Sequence, residues 1–543
     1  MKYNFLFIVL AMQVFFHSCY EDLGNYDYVE INEISIDGIP EIISCDQMDS
    51  LIINIDLSGT LYSDEILFKY QWEVNGSVVA DTKDLEVIAN FPLGIQIGRF
   101  IITDKELGTK SFHYFKVNVS SSTAGDGLLV LSRYNSVSEM SFKRLDKENS
   151  IFSPNFYTSI VGESLGVNPK RLYRNYGPEP TNTNSGLIVE IDQSLKSLSD
   201  ETLIEIGKDK FVDQHYFTNR GSVYPPKIDE FVVNTAWYLY LSNAPFGMSG
   251  HKKNLFVIAN GQLFSDELIL IPAMNISLNT TKIMKGSPLG GKLGSAMFLA
   301  SLSQSGKQDL QPSDYLYVYD DDHGQFLFTS LNGNDIYEVP GWNSYGNYKI
   351  KYATHTNIKN LCIAILENSN NYKIIYMRVA GSKSEEANIG FNIISEIDLP
   401  INSINSITSL YSFKNEPYIS ISTDRSVYFQ NIRALEDGVI LDSESEVIKL
   451  SNFGYDNNAK ITCSSFTRTE NEIILGVSRY GNDIYGAGND LLGDILVIDS
   501  KTFELISKYE GVCGYPVDVI VKYQNYLRDG KQDGVAVSDN LYF

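Results

Sequence analysis

One small figure recurs along most of this chain: an apolar strand, a polar turn rich in Asp, Asn or Gly, and a strand that returns through an aromatic residue. It appears in FTNRGSVY ending at Tyr224, VIANGQLF ending at Phe264, YDDDHGQFLF ending at Phe328, ISTDRSVYF ending at Phe429 and AVSDNLYF ending at Phe543. Looser copies are LENSNNYKIIYM at 366–377 and IDSKTFEL at 498–505. Asn-Gly and Asp-rich turns supply the positive φ that tight hairpins need. The turn centres fall near 220, 260, 321, 370, 424, 500 and 539, with most gaps of tens of residues. Hairpins repeated over such a length mean blades around an axis, since a single sandwich would not absorb so many strands. A ring of blades also leaves only short, protected edges. The expectation is an all-β chain with a β-propeller over 127–543, of seven blades, eight being the alternative. The apolar run Gly127–Ser132, GLLVLS, is expected to complete the last blade, so that both ends of the module close the ring. The best helix candidate is Pro154–Gly166.

Upstream, short strand-like runs cover Glu33–Asp37, Leu51–Leu57, Phe68–Val74, Leu85–Ala89, Ile95–Thr103 and Ser111–Val119. Turn signals at Asp37-Gly38, Asn75-Gly76, Leu93-Gly94 and Leu107-Gly108 separate them, which reads as a small β-sandwich over 31–122. In FKYQWEVNG, alternation puts Tyr70, Trp72 and Val74 on one face, with Trp72 filling the core. There is no Cys…Trp…Cys pattern, so a disulfide-pinned immunoglobulin domain is excluded. The Ser/Thr/Gly stretch Ser120–Gly127 reads as the linker between the two domains.

The first residues, MKYNFLFIVLAMQVFFHSCYED, have Lys2, an apolar run from Phe5 to Phe16, and then Cys19. A basic start and a short apolar middle read as a secretory signal over 1–18. The run is shorter than the roughly 20 residues a membrane-spanning helix needs. Phe16-His17-Ser18-Cys19 resembles a lipobox, with Phe16 where Leu is common, and makes the Cys19 thiol the candidate for acylation. Lipid there would tether the mature chain to a membrane without crossing it. Glu21 and Asp22 resemble the acidic export signal that follows the lipid cysteine in Bacteroidota surface lipoproteins, and residues 19–30 form an acidic tether. With 43 Lys+Arg against 67 Asp+Glu, the chain has a net charge of −24, which argues against nucleic acid as a partner.

The order of lipid cysteine, YEDLGNYDY, the strand INEISIDGIP, the strand YQWEVNG and the ending FIITDKELG…FKVNVSS resembles the PKD-like lipoproteins of Bacteroidota over residues 19–132. That resemblance implies an Ig/PKD-like sandwich ahead of the propeller and an accessory surface lipoprotein of an uptake system. Such proteins stand beside outer-membrane importers of the SusC/SusD type, and the implied ligands are glycans, peptides or partner proteins. The resemblance carries over no catalytic residues.

The residues themselves offer little catalytic chemistry. His113, His215, His251, His323 and His355 make neither HExxH nor an i, i+4 pair, and neither a GxSxG elbow nor a Walker A motif is present. Gly486-Ala487-Gly488 lacks the third glycine of a dinucleotide loop. Cys45, Cys362, Cys463 and Cys513 show no paired spacing and read as small buried thiols, a Cys463–Cys513 disulfide being the alternative. We therefore expect no enzyme and no required cofactor, the alternatives being a purely structural scaffold or a glycosidase-like propeller acting through an unidentified carboxylate pair.

Three loops offer binding chemistry. The aromatics Trp342, Tyr345 and Tyr348, set among Gly and Asn, suit sugar rings or peptide planes, or else pack on the ring edge. Asp483 and Asp490, with Asp494 beyond them, lie in a glycine-rich acidic stretch that offers oxygens of the kind Ca²⁺ takes. Asp320-Asp321-Asp322-His323-Gly324 offers similar oxygens, or is a solvated hairpin turn.

Overall fold

The computed structural model describes residues 30–523 except 149, 176–185, 193, 200–201, 204–232, 242–250, 272–275, 301–314, 331–334, 341, 359, 370, 383–384, 401–405, 414–415, 443, 468 and 481–490. It divides into two units, Met1–Ser122 and Thr123–Phe543.

In the first unit, Trp72 is fully buried, with Phe100 at 4.3 Å and Phe115 at 5.8 Å between ring centroids. Its indole N–H donates to the Thr82 carbonyl at 3.0 Å, so burying the ring strands no polar atom. Around it runs a five-stranded sheet in the order Ile42–Asp46, Lys110–Ser120, Gly94–Asp104, Phe68–Val74 and Ser77–Ala80. Two short pairs, Ile34–Asp37 with Asp56–Gly59 and Ser50–Ile53 with Leu85–Ile88, complete the sandwich. The sequence suggests one strand over Leu51–Leu57; the structure breaks it at Asn54-Ile55 into strands of two different pairs. At the break the Ile55 N–H donates to Asp84 Oδ1 (2.9 Å) instead of joining a ladder. Strands Ile42–Asp46 and Ser77–Ala80 escaped the sequence reading.

The second unit holds seven sheets among the described residues. The first joins Val137–Arg144, Gly127–Tyr134 and Tyr515–Lys522, and the second joins Pro169–Asn175, Gly186–Ile191 and Ser194–Ser199. The third to seventh are four-stranded antiparallel meanders within 233–286, 298–338, 349–400, 407–449 and 460–513. Gly127–Ser132 pairs with the strand Tyr515–Lys522, so the first sheet is assembled from both ends of the module. Central strands such as YLYVYD (Tyr315–Asp320) and LCIAILE (Leu361–Glu367) are buried almost throughout, because each blade is covered on both faces by its neighbours.

Shared cores join sheet to sheet. Leu129 and Leu172 bind the first to the second, Phe256 and Leu316 the third to the fourth, and Tyr317 and Cys362 the fourth to the fifth. Ile363 and Ile419 continue to the sixth, Val427 and Ile461 to the seventh, and Ile474 and Val519 return to the first. The inner strands of the second and third sheets, Pro169–Asn175 and Val233–Leu241, lie against each other. The ring is therefore continuous and is a β-propeller. The expected helix is confined to Phe156–Val161, stopped by Gly162 at φ 78°, and it inserts Phe156 and Tyr157 into the core between the first two sheets.

Candidate functional site

Two of the loops singled out from the sequence lie together. The connector from the outer strand of the fourth sheet to the inner strand of the fifth carries Trp342, Tyr345 and Tyr348, and it crosses the turn Asp320–Gly324. Tyr345 N donates to the Gly324 carbonyl at 2.7 Å, and Ser344 Oγ donates to the His323 carbonyl. Gly324 has φ +65°, and a Cβ there would stand 2.5 Å from Gly346 N, so this crossing needs glycine.

The three aspartates of the turn latch backbone. Asp320 is fully buried and accepts from the N–H groups of Asp322 and His323, both at 2.9 Å, and from Ser287 Oγ. Asp321 Oδ1 accepts from Ile350 N and Asp322 Oδ2 from Lys292 N, both at 2.9 Å. These bonds tie the turn to the connectors on either side. Burial pushes the Asp321 carboxyl up to about 6. The turn is thus a structural latch with a buried carboxylate, and the solvated reading fails at Asp320.

Trp342 is half-buried among Phe326 at 4.9 Å, Phe391 at 5.1 Å and Tyr345 at 5.5 Å, all edge to face. Its Nε1 is buried with no hydrogen-bond partner among the described residues. Tyr345 donates its hydroxyl to Glu396 Oε1 at 2.5 Å, and burial, followed by that carboxylate, raises its pKa. Lys373 Nζ lies over the rings of Tyr345 (5.8 Å) and Tyr348 (5.6 Å) while pairing with Asp398 at 2.8 Å. The three aromatics do cluster. The indole is turned into the packing between two blades, and a ring face of each tyrosine is taken by a lysine of the same chain.

Asp494 is fully buried. Its Oδ1 accepts from Arg479 Nε (2.9 Å) and Gly511 N (2.8 Å), and its Oδ2 from the Tyr455 hydroxyl (2.8 Å). Those donors hold the carboxylate that the sequence offers to Ca²⁺. Asp483 and Asp490 lie outside the described residues, as do Cys19, Glu21 and Asp22. Among the described residues no group of three or more His, Cys, Asp or Glu could hold a metal ion. Cys362, Cys463 and Cys513 are buried free thiols whose pKa values burial raises, and Cys45 is half-buried.

The sequence reading missed the axis of the ring. The innermost strands there include Pro169–Asn175, Lys349–His355, Ile407–Ser412, Lys460–Phe466 and Tyr515–Lys522. Arg171 is exposed to solvent yet ringed by protein, its guanidinium 6.0 Å from the Tyr173 ring. It lies near enough to Tyr352, on the opposite side of the ring, for each to shift the other's ionisation. Two nearby carboxylates favour its charge and also hold other donors. Glu190 accepts from Tyr173 (2.7 Å) and Lys170 (3.2 Å), and Asp518 Oδ2 accepts from Leu172 N (2.8 Å). Tyr352 donates to the Thr408 carbonyl at 2.8 Å, and burial pushes the His355 imidazole down to about 4. A charged residue inside PKRLYRN is the one sequence signal for this site, and only closure of the ring shows that it faces an axis.

Among solved structures, a quinonprotein alcohol dehydrogenase-like protein from Bacteroides thetaiotaomicron is similar at 12% identity, covering 91% of this chain and 100% of that one with a TM-score of 0.45. The dihydro-heme d1 dehydrogenase NirN is similar at 13% identity, covering 79% and 73% with a TM-score of 0.37. The Dos1 propeller is similar at 12% identity, covering 77% and 83% with a TM-score of 0.37. No curated protein sequence matches the chain. The PKD-like family model matches residues 19–169, from Cys19 through the sandwich and into the first hairpin and short helix of the propeller unit.

Proposed function

We propose that this chain is a lipid-anchored protein of the outer-membrane surface that serves a SusC/SusD-type nutrient importer as a non-enzymatic binding accessory. Cys19 carries the lipid, Glu21 and Asp22 direct the chain outward, and the propeller takes a glycan or peptide ligand. The observation that supports this most is a coincidence at one residue. The apolar run Phe5–Phe16 ends just before Cys19, and the PKD-like match begins on it. A cysteine that opens the mature domain is where acylation gives an anchor. The test is metabolic labelling with an alkyne fatty acid, combined with protease treatment of intact cells. Label in the wild type, no label in Cys19→Ala and digestion at the cell surface support the reading; equal labelling of both proteins overturns it.

A scaffold that meets only protein partners is the second reading. It is favoured by an exposed apolar patch on the five-stranded sheet of the sandwich, where Ile95, Ile97, Phe112 and Tyr114 share one face. Recovery of an importer by pull-down, lost on Ile97→Glu while ligand binding persists, would support that role.

A further inference from the structure

Arg171 stands on the inner strand Pro169–Asn175 at the axis of the propeller, and among the described residues no hydrogen bond or ion pair engages its guanidinium. It is exposed on an inner strand of the ring, with its guanidinium carbon 6.0 Å from the centre of the Tyr173 ring. The nearest carboxylates, Glu190 and Asp518, favour its charge through space while accepting hydrogen bonds from Tyr173, Lys170 and the Leu172 and Val519 N–H groups. A guanidinium presents a rigid fork of N–H donors matched to two oxygens of one planar anion. Enclosure strengthens such a contact, because the low-dielectric walls screen it less than bulk water would. Tyr352, partly buried on the inner strand Lys349–His355 across the ring, adds an amphipathic wall.

We propose that the axis of the propeller binds a small carboxylate-bearing ligand, with Arg171 as the residue that receives the carboxylate. This deepens the binding reading given above and rests on it, but it does not depend on the anchor. The ligand's two oxygens meet the Arg171 fork. Leu172 and Asp518 fix the height of the strand and so the position of the fork.

The test uses the full mature chain with Cys19→Ser, titrated calorimetrically with galacturonate and with N-acetylglutamate. The matching neutral compounds, galactose and N-acetylglutamine, serve as controls. At least one acid is expected to bind while its neutral partner does not; which acid binds tells a sugar acid from a peptide-type carboxylate. Arg171→Ala should weaken that binding at least tenfold, and Arg171→Lys should fall between, since it keeps the charge and loses the fork. The Arg171→Ala melting temperature should stay within about 2 °C of wild type, because the guanidinium is exposed and makes no hydrogen bond among the described residues. Failure of both acids to bind the wild type overturns the proposal. So does acid binding that Arg171→Ala leaves unchanged, although that result would leave the chain a binding protein with its site elsewhere.

Discussion

Leu129 stands directly opposite Ile520 in one β-ladder, although the two lie near opposite ends of the propeller unit. Their strands share a sheet with Val137–Arg144, so the ring is held shut by pairing between segments far apart in sequence. Leu129 is fully buried in the core between the first two sheets.

Leu129→Asp should therefore open the ring. A carboxylate placed there has no partner, and burying it costs several kcal/mol. Calorimetry should show the propeller transition lost or lowered sharply while the sandwich, whose core around Trp72 is separate, melts as before. Deletion of 127–132 should act the same way. Wild-type melting of either variant would contradict closure by these strands.

Trp342 packs edge to face on three aromatics, so its truncation should be felt in stability. Trp342→Ala is expected to lower stability by about 2–4 kcal/mol, near the low end of buried aromatic truncations because the ring is only half-buried. Trp342→Phe should recover most of it. Thermal melts decide this, and an unchanged Trp342→Ala melt would mean that the indole faces solvent and is open to a ligand.

The Asp321 carboxyl carries a pH signature. Burial raises it from 3.8 to about 6, with Asp320 and Asp322 adding to the shift and Lys349 and the Ile350 N–H opposing it. Between those values the folded chain binds the proton more readily than the unfolded chain, so stability falls as pH rises through the window and then levels off. Asp321→Asn should be more stable than wild type at pH 7.5, by roughly 1–2 kcal/mol after allowance for partial exposure, and about equal at pH 4. Denaturant melts at the two pH values check the sign.

Asp494 is expected to act through its donors. Asp494→Asn should cost about 1–3 kcal/mol, because Arg479 and Tyr455 lose a buried anion. Millimolar Ca²⁺ should leave the wild-type melting temperature where a chelator leaves it. A calcium-dependent rise would show that the acidic stretch before Asp494 recruits an ion.

The two units were legible in the sequence for different reasons. In the sandwich one sheet face meets the core and the other meets water, so Phe68–Val74 alternates and its bounds read directly. Glu73 breaks the pattern, buried through its bonds to Arg99 and Gln71. In the blades both faces are covered, alternation vanishes, and the turns at 260, 321, 370 and 424 carried the reading instead. The aromatic loop was legible as a cluster but not in its facing. Phe391, which turns Trp342 inward, comes from the outer strand of the next sheet, and no local pattern announces that contact. Arg171 was illegible for a related reason, since the axis exists only once the last strand returns to the first.

Mass spectrometry of the N-terminal peptide from membrane-extracted protein tests the central claim most directly. The account expects a chain that begins at Cys19, with its thiol carrying a diacylglyceryl group. A chain with an unmodified Cys19 thiol, recovered free in the medium, would contradict it.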